Sequence, residues 1–190
     1  MDESSPLVPP APLDAIASER ARRVRMVLTD VDGVLTSAHV IYDGQGSRLR
    51  AFSTRDGSAI QWLAQCEIPV GFISGLDDPG TRKRAEDLGV EEVHLGSQDK
   101  LSTIHSILER RGLRSEEVAY FGDDLIDLPG IHEVGFSACP SDAAAEVQAA
   151  CAVVLPQRGG EGFFRAAAEC ILKAQGRWEA VLARYLVCRR

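Results

Sequence analysis

Four short stretches of the chain carry side chains that could work together: Asp30-Val31-Asp32-Gly33, Ser74-Gly75, Lys100 and Gly122-Asp123-Asp124. Several carboxylates share a small site only when something cancels their charge. A hard divalent cation with oxygen ligands does this. Mg²⁺ is the default, because it uses few carboxylates, keeps waters and takes phosphate oxygens. Lys100 and the Ser74 hydroxyl suit the remaining oxygens of a phosphoryl group. Asp30 is placed as a nucleophile. Asp32 lies just before the turn at Gly33 and stays available for proton transfer. That is the logic of phosphoryl transfer through an aspartyl phosphate. Asp127, one helical turn past Asp123, can orient it. Asp124 can cap the helix that follows, and Asp99 the helix that Lys100 opens. His39, His94, His105 and His132 show no ligand spacing.

Each motif alone is weak, since Asp and Ser are common at strand ends and helix caps. Their placement gives them weight. Arg25–Thr29 reads as a strand running into Asp30, Pro69–Ser74 as a buried strand ending in Ser74, and 118–122 as a strand ending before Asp123. Val93–Leu95 is a shorter strand. Helices are expected over Leu13–Arg23, Asp56–Cys66, Pro79–Leu88, Lys100–Arg111 and Glu161–Ala174, with a continuation of the last over Arg177–Tyr185. His39–Tyr42 and Arg48–Ser53 flank a Gly-rich turn and read as a hairpin. Strands alternating with helices imply an α/β fold: a doubly wound, Rossmann-like parallel sheet with helices on both faces. Ligands bind such sheets at the carboxyl ends of the strands, where all four motifs fall.

Composition bounds the rest. The 190 residues suit one domain, 45% hydrophobic and 26% charged. Residues 1–12 hold four of the nine prolines and read as a disordered lead, leaving 13–190 as the domain, with the hairpin at about 38–53 as a flap. Twenty-one Lys and Arg against 28 Asp and Glu give a net charge of −7. This argues against a nucleic-acid or anionic-membrane partner. Five cysteines without a CxxC pair, and an N-terminus unlike a signal peptide, suggest a cytoplasmic protein.

The motifs DVDGVLT, Ser74-Gly75, Lys100 and GDDLID resemble those of the haloacid dehalogenase superfamily of phosphohydrolases. From about Val24 to Gln175 the chain is similar to the 3-deoxy-D-manno-octulosonate 8-phosphate phosphatase branch. The hairpin, Arg55-Asp56-Gly57 and the RGGEGFFR segment carry that likeness. The resemblance implies Mg²⁺ held by Asp30, Asp123 and the backbone carbonyl of Asp32. It makes Asp30 the nucleophile and Asp32 the general acid and base, with Ser74 and Lys100 on the phosphoryl group. It places Ser53, Thr54, Arg55, Asp56, Gly57 and Arg84 near a small phosphorylated sugar-acid substrate. It further implies no large cap domain, a homotetramer whose neighbours close each site, and a place in lipopolysaccharide biosynthesis.

Three positions usually basic in the branch are Gln61, Leu76 and Glu161 here. Each lost charged hydrogen bond weakens capture of a substrate carboxylate by roughly 1–3 kcal/mol. Arg55, Arg84 and Arg158 could compensate. Another sugar or nonulosonate phosphate therefore stays open as the substrate, as does a non-catalytic module that keeps the fold. A signalling receiver domain shares the chemistry, but its acidic pair and phospho-acceptor come in a different order.

Overall fold

The structure is a computed structural model that describes residues 12–186. All of the Pro-rich lead except Pro12 lies outside the described residues. Six parallel strands form the central sheet: β1 (Met26–Thr29), β4 (Val70–Ser74), β5 (Glu92–Leu95), β6 (Val118–Phe121), β7 (Phe136–Cys139) and β8 (Val153–Val154). Their spatial order is β5-β4-β1-β6-β7-β8. The chain runs outward from β1 to β5, then returns to the other side of β1 with β6. The reversal opens a crevice between β1 and β6. A separate antiparallel hairpin pairs β2 (Ile41–Tyr42) with β3 (Arg48–Leu49). This is the expected doubly wound α/β architecture with a small flap.

Alternation along the strands explains why both faces are covered. Val27, Ala119 and Phe121 face one apolar cluster with α1 (Ala15–Arg22), α2 (Thr54–Gln65) and α7 (Phe163–Ala174). Met26, Leu28, Val118 and Tyr120 face the other, with α4 (Lys100–Arg111), α5 (Leu128–Glu133) and α6 (Ala145–Ala150). Phe163 and Phe164 meet the ring of Phe121 edge-on at 5.9 and 5.5 Å, the favoured geometry for an aromatic pair. The remaining helices are α3 (Pro79–Leu88) and α8 (Trp178–Leu186).

Element ends depart from expectation where caps intervene. β3 stops at Leu49 rather than reaching Ser53. Ser53 is the N-cap of α2, its hydroxyl accepting from Asp56 N at 3.3 Å, so α2 begins at Thr54. α7 begins at Phe163, because Gly162 at φ 97° turns the chain just before it. α4 begins at Lys100 as expected. Asp99 accepts from Ser102 N at 3.0 Å and fixes that start, and with it the position of the lysine.

Candidate active site

β1 carries Asp30 to the crevice, where it is 5% exposed. Its N–H donates to Phe121 O at 2.8 Å, locking it beside the end of β6. Beyond β6 the chain folds through Leu125–Asp127 and returns Asp127 beneath the site. Asp127 has no empty oxygen. Its Oδ1 accepts from Lys100 Nζ at 2.7 Å and Tyr120 OH at 2.6 Å. Its Oδ2 accepts from the N–H groups of Asp123 at 3.0 Å and Asp124 at 3.2 Å. Lys100 Nζ also donates to Asp30 Oδ1 at 2.7 Å, so one buried ammonium ties two carboxylates together.

The charges are unbalanced. Burial, reinforced by Asp127 and opposed by Lys100, pushes the Asp30 carboxyl up to about 6. Burial and the carboxylates of Asp30, Asp127 and Asp124 push Asp123 up to about 8. Burial opposes the charge on Lys100, but Asp30 and Asp127 outweigh it and hold its pKa above the usual value. Burial, followed by the charges of Asp127 and Asp30, pushes Tyr120 well above its usual value, so it stays a neutral donor.

These residues fit a divalent cation. Oxygens of Asp30, Asp123 and Asp127 lie within 4.8 Å of one another. Asp123 Oδ1 is buried and has no hydrogen-bond partner. An orphaned carboxylate oxygen among like charges is a position a cation would satisfy. Because Asp127 is fully engaged by donors, Asp30 and Asp123 are the side chains with ligand capacity left. Asp127 supports them.

On the other side of β1, the Ser74 hydroxyl at the end of β4 donates to Asp32 Oδ2 at 3.3 Å and accepts from Leu76 N at 3.1 Å. Asp30, Asp32, Ser74, Lys100, Asp123 and Asp124 all line one cavity of about 290 Å³. Val40, Leu76 and Ile126 give it an apolar mouth. Asp124 also caps its own turn, accepting from Leu125 N at 2.8 Å.

Residues 86–166 match the family model of haloacid dehalogenase-like hydrolases. Over 159 residues the chain is 38% identical to 3-deoxy-D-manno-octulosonate 8-phosphate phosphatase KdsC of Haemophilus influenzae, covering 84% of this chain and 88% of that protein. The chain belongs to the KdsC family. The crystal structure of the KdsC-family phosphatase from Yersinia pestis superposes with a TM-score of 0.85 at 35% identity, covering 87% of this chain and 89% of that one. A Moraxella catarrhalis phosphatase solved with magnesium ion, phosphate ion and KDO superposes with a TM-score of 0.87 at 31% identity. That match covers 89% of this chain and 97% of that chain.

The other expected substrate contacts of this KdsC-family chain sit apart from the cavity. Ser53 caps α2, while Thr54 and Arg55 are exposed. Asp56 is 2% exposed, and its Oδ1 accepts from Arg165 N at 2.8 Å. Gly57 leaves room for the guanidinium of Arg84, whose Nη2 donates to Ser53 O at 3.2 Å. None of these six lines the cavity over Asp30 within the single chain. Arg158 is exposed and pairs with Asp142 at 3.3 Å, and Gln61 and Glu161 are exposed. Sequence reasoning missed Arg50 and Tyr120. Arg50 comes from the hairpin and pairs with Asp32. Tyr120 could have been found, because it lies on the strand that leads to Asp123, two residues before Gly122, on the face that Asp127 rejoins.

Proposed function

We propose that this chain is an Mg²⁺-dependent phosphatase that hydrolyses 3-deoxy-D-manno-octulosonate 8-phosphate through an aspartyl phosphate on Asp30. One observation carries the reading: Asp30, held by Lys100, shares a buried cleft with the orphaned oxygen of Asp123. Asp30 and Asp123, with the Asp32 carbonyl, would hold Mg²⁺. When bound, the ion offsets the carboxylate charge and that of the phosphoryl oxygens. Asp30 attacks phosphorus, and the bond to the sugar oxygen breaks. Asp32 supplies a proton to that oxygen as it leaves. Asp32 then takes a proton from water, which attacks the aspartyl phosphate, releasing phosphate and restoring Asp30. Lys100 and Ser74 hold the phosphoryl oxygens.

The remainder of the site belongs to the same proposal. Ser53, Thr54, Arg55, Asp56, Gly57 and Arg84 would act on substrate in a homotetramer, where hairpins and a neighbouring C-terminal segment close each cleft. The exposure of Ile41 (50%), Tyr42 (62%) and Leu49 (52%) supports such burial against other subunits. A cytoplasmic location and a step toward lipopolysaccharide follow from the substrate. Among the described residues, no helix is long and apolar enough to cross a membrane.

Leu76 favours a second reading. It lines the cavity mouth where a guanidinium would meet a substrate carboxylate, so another sugar or nonulosonate phosphate would fit as well. Phosphate release from a panel of sugar phosphates separates the two. Octulosonate 8-phosphate should give the highest kcat/KM. A better nonulosonate 9-phosphate or neutral sugar phosphate would replace it. The non-catalytic alternative predicts no release from any of them.

A further inference from the structure

Arg50 lies in the hairpin arm just after β3, yet its side chain is 8% exposed. Its Nη1 donates to Asp32 Oδ1, and its Nε lies 3.4 Å from Asp78 Oδ1. Asp78 is the N-cap of α3, accepting from Thr81 N at 2.9 Å. Its position is therefore set by the helix. The glycine at position 80 lets the arginine pass: a Cβ there would meet Arg50 Cγ at 3.2 Å. A long cation from an otherwise exposed hairpin is thus threaded into the crevice between two carboxylates.

We propose that Arg50 is a positioning residue that decides which oxygen of Asp32 handles the proton. This inference rests on the phosphatase reading above. A guanidinium has five donors and no acceptor. The oxygen that receives it, Oδ1, cannot also point a proton toward it. A proton on Asp32 is therefore favoured on Oδ2, the oxygen beside Ser74 Oγ at 3.3 Å. A serine hydroxyl can accept as well as donate, so it tolerates Oδ2 in either protonation state. Two fixed partners from two elements leave the carboxyl one productive orientation. In the first half-reaction the Oδ2 proton passes to the bridging oxygen as its bond to phosphorus breaks and the Asp30–phosphorus bond forms. The hairpin thus sets the general acid as well as covering the cleft.

The test is a series of substituted phenyl phosphates of similar shape and graded leaving-group acidity. The quantity read is kcat/KM, which reports steps through departure of the phenol. Arg50→Met should lose roughly 10²-fold on phenyl phosphate, the lower end of what a positioned general acid contributes. On p-nitrophenyl phosphate, whose leaving group barely needs a proton, the loss should be under about 3-fold. The dependence on leaving-group pKa should therefore steepen, and Arg50→Lys should restore part of the original slope. A merely structural role would lower all substrates together. If Arg50→Met does not fold, an Arg50→Lys slope steeper than that of the unsubstituted chain carries the same conclusion. Unchanged slopes in the folded variants overturn the inference. Absence of Asp30-dependent turnover in the unsubstituted chain overturns the phosphatase reading itself, and the inference with it.

Discussion

Asp56 caps a helix to which it does not belong: its Oδ1 accepts from Arg165 N at 2.8 Å, across 109 positions of sequence. Gly162 precedes α7 without a side chain to offer the first turn, so a carboxylate from α2 substitutes for a local cap. Removing it by Asp56→Ala should cost about 0.5–2 kcal/mol, the range of a lost N-cap. Urea unfolding measures this directly.

The same carboxyl makes stability depend on pH. Burial pushes Asp56 up to about 6 from 3.8, against the N–H donors of Arg165 and Gly162. The folded chain therefore takes up this proton more readily than the unfolded chain. The penalty for burying the charge is complete above pH 6 and fades as pH falls toward 4. Relative to Asp56→Asn, the unsubstituted protein should gain up to about 3 kcal/mol between pH 7 and pH 4. Paired unfolding curves across that window check the sign.

Gly33 is held at φ 90°, and a Cβ there would overlap the carboxyl group of Asp123. Gly33→Ala should displace Asp123 more than it unsettles the sheet. The Mg²⁺ concentration for half-maximal activity should rise at least about 10-fold, as for a displaced support of a metal site. Activity titrated against Mg²⁺ measures it.

Burial and neighbouring charges hold Asp123 protonated up to about pH 8 when no ion is bound. A cation needs the carboxylate, so Mg²⁺ binding near pH 7, above the range where Asp30 also takes up a proton, should release close to one proton, and affinity should fall as pH falls. Calorimetry in buffers of different ionisation enthalpy counts the proton.

Lys100 neutralises Asp30 and Asp127 inside the core. Lys100→Met leaves both without their cation and should destabilise the apo protein by about 3–5 kcal/mol. Saturating Mg²⁺ should recover part of this, since an ion that binds only the folded state stabilises it. Unfolding with chelator and with Mg²⁺ separates the two contributions.

The core of the site was legible because parallel strands end together. Asp30, Ser74 and Asp123 each follow an apolar run, and register alone brings those ends to one edge. Lys100 was legible through its cap, Asp99. The placement of Ser53–Gly57 outside the single-chain cavity was not, because local pattern does not reveal contacts made far away in sequence. Asp56, for example, caps α7. Arg50 was hidden for a different reason. Its hairpin alternates no buried and exposed residues, so nothing local showed that one side chain turns inward to Asp32 and Asp78.

The most direct test of the central claim is phosphate release from 3-deoxy-D-manno-octulosonate 8-phosphate by the full chain, with Mg²⁺, with chelator, and with Asp30→Asn. Release should require Mg²⁺, and Asp30→Asn should lower it by at least about 10⁴-fold, as befits loss of a nucleophile. Release that persists in Asp30→Asn, or none with Mg²⁺ from the unsubstituted chain, would contradict the assignment of Asp30 as the phosphoryl acceptor for this substrate.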